Sequence, residues 1–240
     1  MACVGLTLLI SSGWTASTTN AALDNQVVQG WAGYVVRAGA DSFTAAHGRW
    51  VQPRVVCNRP GSAAAFWIGL GGATRYSRAL EQVGTSADCS DRDQLSFSAW
   101  YQLWPAPAVE LPVAVRPGDL LDGAVSVDGA AVTIVLRNLS TGAAVTREIV
   151  MWAPETDSAE WIVEAPAMCF ARCTLLPLAT FPSVTFTETT ATLGIHTGMI
   201  ADSRWIQSRF TMGISKGRTL ATPSSLLEGG SSFKVVRSHY

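Results

Sequence analysis

No stretch of a dozen residues in this chain holds apolar positions at helical spacing without a glycine or proline inside it, so strands have to carry the fold. The chain offers short aromatic and β-branched runs instead, at 30–36, 63–70, 95–104, 160–165 and 183–188, with turn residues between them. Segment 124–150 reads as consecutive hairpins: Asp128-Gly129 is a favoured tight turn and Ser140-Thr141-Gly142 opens another. Pro53, Pro60, Pro105, Pro107, Pro112, Pro117 and Pro154 fall between strand candidates, where a missing N–H does least harm to a ladder. This pattern predicts an all-β antiparallel β-sandwich of the concanavalin or jelly-roll type, without internal repeats.

The 240 residues are enough for one domain with a sizeable core, and 48% hydrophobic against 15% charged residues argues for a packed protein. A net charge of −1, with no basic stripe, gives no electrostatic reason to expect nucleic acid or a membrane as partner. Residues 1–22 read as a signal peptide, with the apolar run Met1–Ile10 followed by small and polar residues and cleavage near Ala16 or Ala22. Residues 30–240 are then a single sandwich domain, secreted to the extracellular space. Of five cysteines, Cys3 leaves with the signal, and Cys57, Cys89, Cys169 and Cys173 form an even set. Three pairings are open; the economical one joins Cys57 to Cys89 and Cys169 to Cys173, worth roughly 3–4 and about 2 kcal/mol on the chain-entropy model. Zinc is the competing reading, but the spacings fit no common finger or ribbon. Asn138-Leu139-Ser140 is a glycosylation sequon.

Most familiar chemistry is absent. His47, His196 and His239 stand in no H-E-x-x-H run and beside no second metal-type ligand, so no metal or cofactor is implied. There is no G-x-S-x-G elbow and no D-x-D-x-D-G calcium loop; Gly69–Ala73 lacks a βαβ setting and reads as a tight turn. What remains is a set of carboxylates, amides and tryptophans on strands. In "SAEWIVEAP" (158–166), alternation puts Glu160, Ile162 and Glu164 on one face and Trp161 and Val163 on the other. Such a strand is either an edge with a wet face or a cleft floor carrying a working acid.

Several stretches stand in order along the chain: "WAGYVV" (31–36), "FWIGLGG" (66–72), "LEQVGTSADC" (80–89) with "AWYQLWP" (99–105), and "AEWIVEAP" (159–166). Together they resemble the glutamic peptidases, or eqolisins, and more closely their bacterial-type members. "FTAAHGRWVQP", "RPGDLL" and "LPLATFPSVTFT" match further segments, so the likeness runs from about Trp31 to Thr187. The resemblance implies a sandwich with a concave substrate cleft and a catalytic pair at Gln82 and Glu164. A carboxylate can take a proton from water attacking a peptide carbonyl and pass it to the departing amine. An amide NH₂ can donate to the developing oxyanion. Glu160, on the same face as Glu164, is the rival base. Trp67, Trp100, Gln102 and Glu160 are expected near substrate, whereas Trp31 reads as core.

Two departures stand out. Family members often carry an acid where this chain has Gly71, and Glu where it has Gln102. With fewer acids in the cleft, Glu164 is expected to ionise more easily and activity to reach less acidic pH. The expected protein is a pepstatin-insensitive, monomeric endopeptidase cutting polypeptides at acidic pH. The rival is a non-catalytic carbohydrate-binding sandwich, which would have no need of Gln82 and Glu164 together.

Overall fold

The computed structural model describes residues 23–39, 42–169, 173–214 and 217–238, the side chain of Cys169 excepted. In chain order the first strands are β1 (Asp24–Val28), β2 (Trp31–Arg37), β3 (Phe43–Val51), β4 (Ala63–Gly71), β5 (Leu80–Cys89) and β6 (Leu95–Trp104). Next come β7 (Val109–Leu111), β8 (Leu120–Asp128), β9 (Ala131–Asn138), β10 (Ala143–Val150), β11 (Ser158–Glu164) and β12 (Ala167–Cys169). The last are β13 (Cys173–Leu175), β14 (Ser183–Leu193), β15 (His196–Met199), β16 (Ile206–Ile214), β17 (Arg218–Pro223) and β18 (Phe233–Arg237).

These strands form one long sheet in the order β10-β9-β8-β3-β14-β18-β17-β16-β2-β11-β4-β5-β6-β7, with β1 added to β16 and β15 to β14. β12 and β13 pair separately. Every pairing is antiparallel except β1 with β16. The layer β9-β8-β3-β14 packs against β11-β4-β5, and β18-β17-β16 carry the sheet round from one layer to the other. The result is the expected antiparallel β-sandwich. The hairpin turn at Asp128-Gly129 is present, with Gly129 at φ 58°, and all seven singled-out prolines lie between strands.

Between the layers sit Trp50, Phe66, Ile68, Trp161, Phe186 and Phe233, all fully buried. Buried indole N–H groups need acceptors. Trp161 Nε1 finds the His47 carbonyl at 2.8 Å, and Trp50 Nε1 finds Thr85 Oγ1 at 3.1 Å. Both bonds cross the sandwich, so β11 and β5 are each tied to the opposite layer or its flank. A disulfide joins Cys57 to Cys89 and ties the loop after β3 to the end of β5, as the economical pairing requires. Cys173 is also disulfide-bonded and stands opposite Cys169 in the β12–β13 ladder.

Several features depart from the sequence reading. The sheet begins before residue 30: β1 runs beside β16 from Asp24↔Ser208 to Val28↔Met212. Parallel pairing to a distant strand leaves no local signal. The signal-peptide expectation for 1–22 and His239 lie outside the described residues. The sequon is structural, since Asn138 is fully buried and its Nδ2 donates to Ala114 O at 2.9 Å and to Asp119 Oδ2 at 2.8 Å.

Candidate active site

The register of β11, β4, β5 and β6 lays three rows across one face of the sheet. They are Glu160–Gly69–Gln82–Gln102, Ile162–Trp67–Gly84–Trp100 and Glu164–Ala65–Ser86–Ser98. The alternation read from "SAEWIVEAP" is therefore real: Trp161 and Val163 belong to the interior, Ile162 to a second apolar cluster with Val35, Ala65, Trp67 and Phe210. That cluster underlies the floor of a groove, which its members Ala65 and Leu80 reach. β4 is buried along its whole length because one face meets the core and the other lies under this floor.

The groove has two adjoining lobes of about 440 and 810 Å³. Gln82, Gln102, Glu164 and Ala167 line both, so the residues nominated as a catalytic pair stand where the lobes meet. The smaller lobe adds Ser86, Asp88, Trp100 and Glu110; the larger adds Trp31, Leu80, Trp104 and Met168.

Glu164 is held from below. Trp67 Nε1 donates to Glu164 Oε2 at 2.7 Å, and Trp31 packs edge-on against Trp67 with ring centroids 4.9 Å apart. Trp67 lies where it does because two neighbours have no side chain. A Cβ on Gly84 would stand 2.5 Å from Trp67 Cβ, and one on Gly69 would stand 3.1 Å from the Trp67 ring. Burial of the Glu164 carboxyl is the largest influence on its acidity and raises its pKa to about 7, with hydrogen bonds from Trp67 and Trp31 pulling it down. Desolvation thus governs the acidity of Glu164 in this chain, ahead of its hydrogen bonds.

Gln82 is almost fully buried, and its amide orientation follows from a chain of donors. Gln102 Nε2 donates to Ala106 O at 2.9 Å, which turns Gln102 Oε1 towards Gln82 Nε2, also at 2.9 Å. One N–H of Gln82 is used in this way; the amide group has a second. Gln102, expected near substrate and also a departure from the family pattern, is therefore what orients Gln82.

Glu160 and Trp67 do not reach the groove. Both are fully buried and line neither lobe, against the expectation that they stand at the groove's surface. No hydrogen-bond partner reaches either carboxyl oxygen of Glu160 among the described residues. Burial, before any other influence, holds its pKa well above the carboxylate range. Trp31 is displaced the other way: read as core, it is half-buried and lines the larger lobe. Ser86, Asp88 and Ser98 were not singled out from sequence. Ser86 Oγ lies 2.8 Å from Asp88 Oδ2 and 2.9 Å from Ser98 Oγ. The signal was available, since Gln82, Gly84, Ser86 and Asp88 alternate along one strand. Gly71 has no room for a side chain: its φ is +77° and a Cβ there would stand 2.3 Å from the Glu155 carbonyl oxygen.

None of the curated proteins matches this sequence. Among solved structures, the chain is similar to Scytalido-glutamic peptidase bound to a peptide-based transition-state analogue, with 20% identity, 88% of this chain and 98% of that chain covered, and a TM-score of 0.75. It is similar to SCP-B, described as an eqolisin in complex with the tripeptide Ala-Ile-His, at 19% identity, the same coverage and a TM-score of 0.71. Aspergilloglutamic peptidase from Aspergillus niger matches at 28% identity over 73% of this chain and 99% of that one, with a TM-score of 0.60. The model of the Peptidase A4 family matches residues 29–233, most of the chain. With the sandwich and the groove in place, this match identifies the chain as a member of the Peptidase A4 (eqolisin) family, a glutamic-type peptidase.

Proposed function

We propose that this peptidase is a secreted, pepstatin-insensitive endopeptidase that hydrolyses polypeptides on the acid side of neutrality, with Gln82 and Glu164 as its catalytic pair. The observation that carries this reading is their joint position at the meeting of the two lobes, with the carboxylate of Glu164 held by Trp67. Ionised Glu164 takes a proton from water as the water attacks the scissile carbonyl, then returns it to the leaving amine. The free N–H of Gln82 donates to the oxyanion, an interaction typically worth about 3–4 kcal/mol when preorganised. An extended peptide would cross the sheet with side chains entering a lobe on either side of the scissile bond.

The pH range follows from two opposed trends. A base with a pKa of about 7 gains activity as pH rises towards neutrality. Stability moves the other way, because the buried acids Glu81 and Glu160 favour the folded state only while protonated. An optimum at about pH 6–7 results, where a sizeable fraction of Glu164 is ionised and Glu81 still holds its proton. The disulfide between Cys57 and Cys89 favours an oxidising compartment, and no helix among the described residues is long and apolar enough to cross a membrane.

The test is cleavage of a denatured protein, with pepstatin present, across about pH 2–8. Glu164→Gln should lose about 10²–10⁴-fold in kcat/KM and Gln82→Ala about 10²–10³-fold, both remaining folded, while Glu160→Gln stays active. A dead Glu160→Gln beside an active Glu164→Gln would transfer the role of base, and a wild type that never cuts would end the reading.

A further inference from the structure

A second cavity, of about 540 Å³, lies at the end of the sandwich where the β1–β2 turn, the segment after β13, the β16–β17 hairpin and the end of β18 converge. It shares no lining residue with either lobe of the groove. Its walls are apolar, with Leu175, Leu178, Met212, Ile214 and Leu220 among them, yet three arginines, Arg59, Arg218 and Arg237, reach it. No aspartate or glutamate is among the described lining residues. Arg237 makes the case sharpest. Among the described residues its guanidinium donates to main-chain carbonyls, Ser238 O at 2.9 Å and Leu178 O at 3.4 Å, and its buried Nε finds no partner there. Burial lowers its pKa, as expected for a cation withdrawn from water, and no opposing side-chain carboxylate stands in the described lining.

A guanidinium part-buried among leucines costs free energy unless an anion meets it. The volume lies within the range of small-molecule sites, and the lining has their usual makeup, a mostly apolar wall with a few convergent polar groups. We propose that this cavity binds a small amphipathic carboxylate, its head on Arg237 with Arg59 beside it and its apolar body along Leu175, Leu178 and Leu220. Inorganic phosphate fits the charge but leaves the apolar wall without a partner. A fatty acid and the C-terminal carboxylate of an apolar peptide offer the same chemistry.

The test is calorimetric titration of the intact protein at about pH 6, where the ligand head is ionised. The probes are decanoate and N-acetyl-Phe-Leu, each against its neutral amide, with inorganic phosphate as the bare anion. Binding of either carboxylate, about tenfold or more tighter than its amide, supports the site, and whichever of the two binds identifies the source. Arg237→Gln should weaken that binding about tenfold or more. If Arg237→Gln does not fold, Arg59→Gln carries the same test, with weaker binding and unchanged peptidase activity expected. Glu164→Gln should bind the probe as wild type does. Equal affinity for acid and amide, phosphate binding alone, no binding at all, or a loss that follows Glu164→Gln in place of the arginines would each overturn the proposal.

Discussion

Replacing Trp67 by phenylalanine isolates one hydrogen bond beneath the proposed base. The ring is fully buried in a slot opened by Gly69 and Gly84, and phenylalanine keeps most of that packing while removing the Nε1–H that lies 2.7 Å from Glu164 Oε2. A hydrogen bond to a charged group contributes about 1.5–3 kcal/mol, and here it favours the ionised carboxylate over the acid. Its loss should therefore raise the pKa of Glu164, already about 7, by about one further unit or slightly more. The pH dependence of kcat/KM would show the acid limb moved upward, with roughly tenfold lower activity at every pH below the limb. Above the shifted limb the variant should approach wild type. The assay is kcat/KM on a fluorogenic peptide from about pH 4 to 9, with near-ultraviolet circular dichroism confirming an intact fold at each point. A uniform loss across the whole range would mean that Trp67 serves packing alone. An unmoved limb would mean that the rate does not depend on ionised Glu164.

Stability should decline as pH rises above the ordinary glutamate range. Glu81, fully buried, has its pKa raised to about 8, chiefly by burial, so the folded state holds a proton that the unfolded chain releases near 4.5. The contribution is complete below about pH 4.5 and is lost as pH rises through about 8, on the order of several kcal/mol; thermal midpoints between these limits should fall, and Glu81→Gln should flatten the fall. Asp122 acts in the opposite sense. Arg49, His47 and Arg137 outweigh its burial and hold its pKa low, so its contribution fades only when pH drops through that value. Asp122→Asn should lower the thermal midpoint at about pH 6 more than at pH 2. Opening the Cys57–Cys89 bridge by a double alanine substitution should cost about 3–4 kcal/mol in denaturant unfolding, and dithiothreitol should reproduce part of the loss. Gly84→Ala places a methyl 2.4 Å from the Phe66 carbonyl oxygen and 2.5 Å from Trp67 Cβ. It should destabilise the protein by about 1–3 kcal/mol and also reduce activity through Trp67, and activity unchanged at full stability would refute that dependence.

The sequence by itself determined everything that rests on period two and on turn chemistry. It placed β2, β4, β6, β8 to β11 and the start of β14, the hairpin turn at Asp128-Gly129 and the prolines between strands, and it put Glu160 and Glu164 on one face with Trp161 on the other. The order of motifs also brought the family within reach, because those motifs are strands and turns whose residue types are local. Only the tertiary structure decided what covers each face. Glu160 and Glu164 are equivalent by alternation, yet one is sealed beneath the sheet's surroundings and the other opens on the groove. Trp67 sank below the floor and Trp31 rose to the wall because Gly69 and Gly84, on different strands, leave a slot that only register creates. The raised pKa of Glu164 has the same origin, since desolvation depends on neighbours far away in the chain. β1 escaped the sequence reading for that reason too: its hydrogen bonds go to β16, about 180 residues on, and nothing local marks a strand whose partner is so distant.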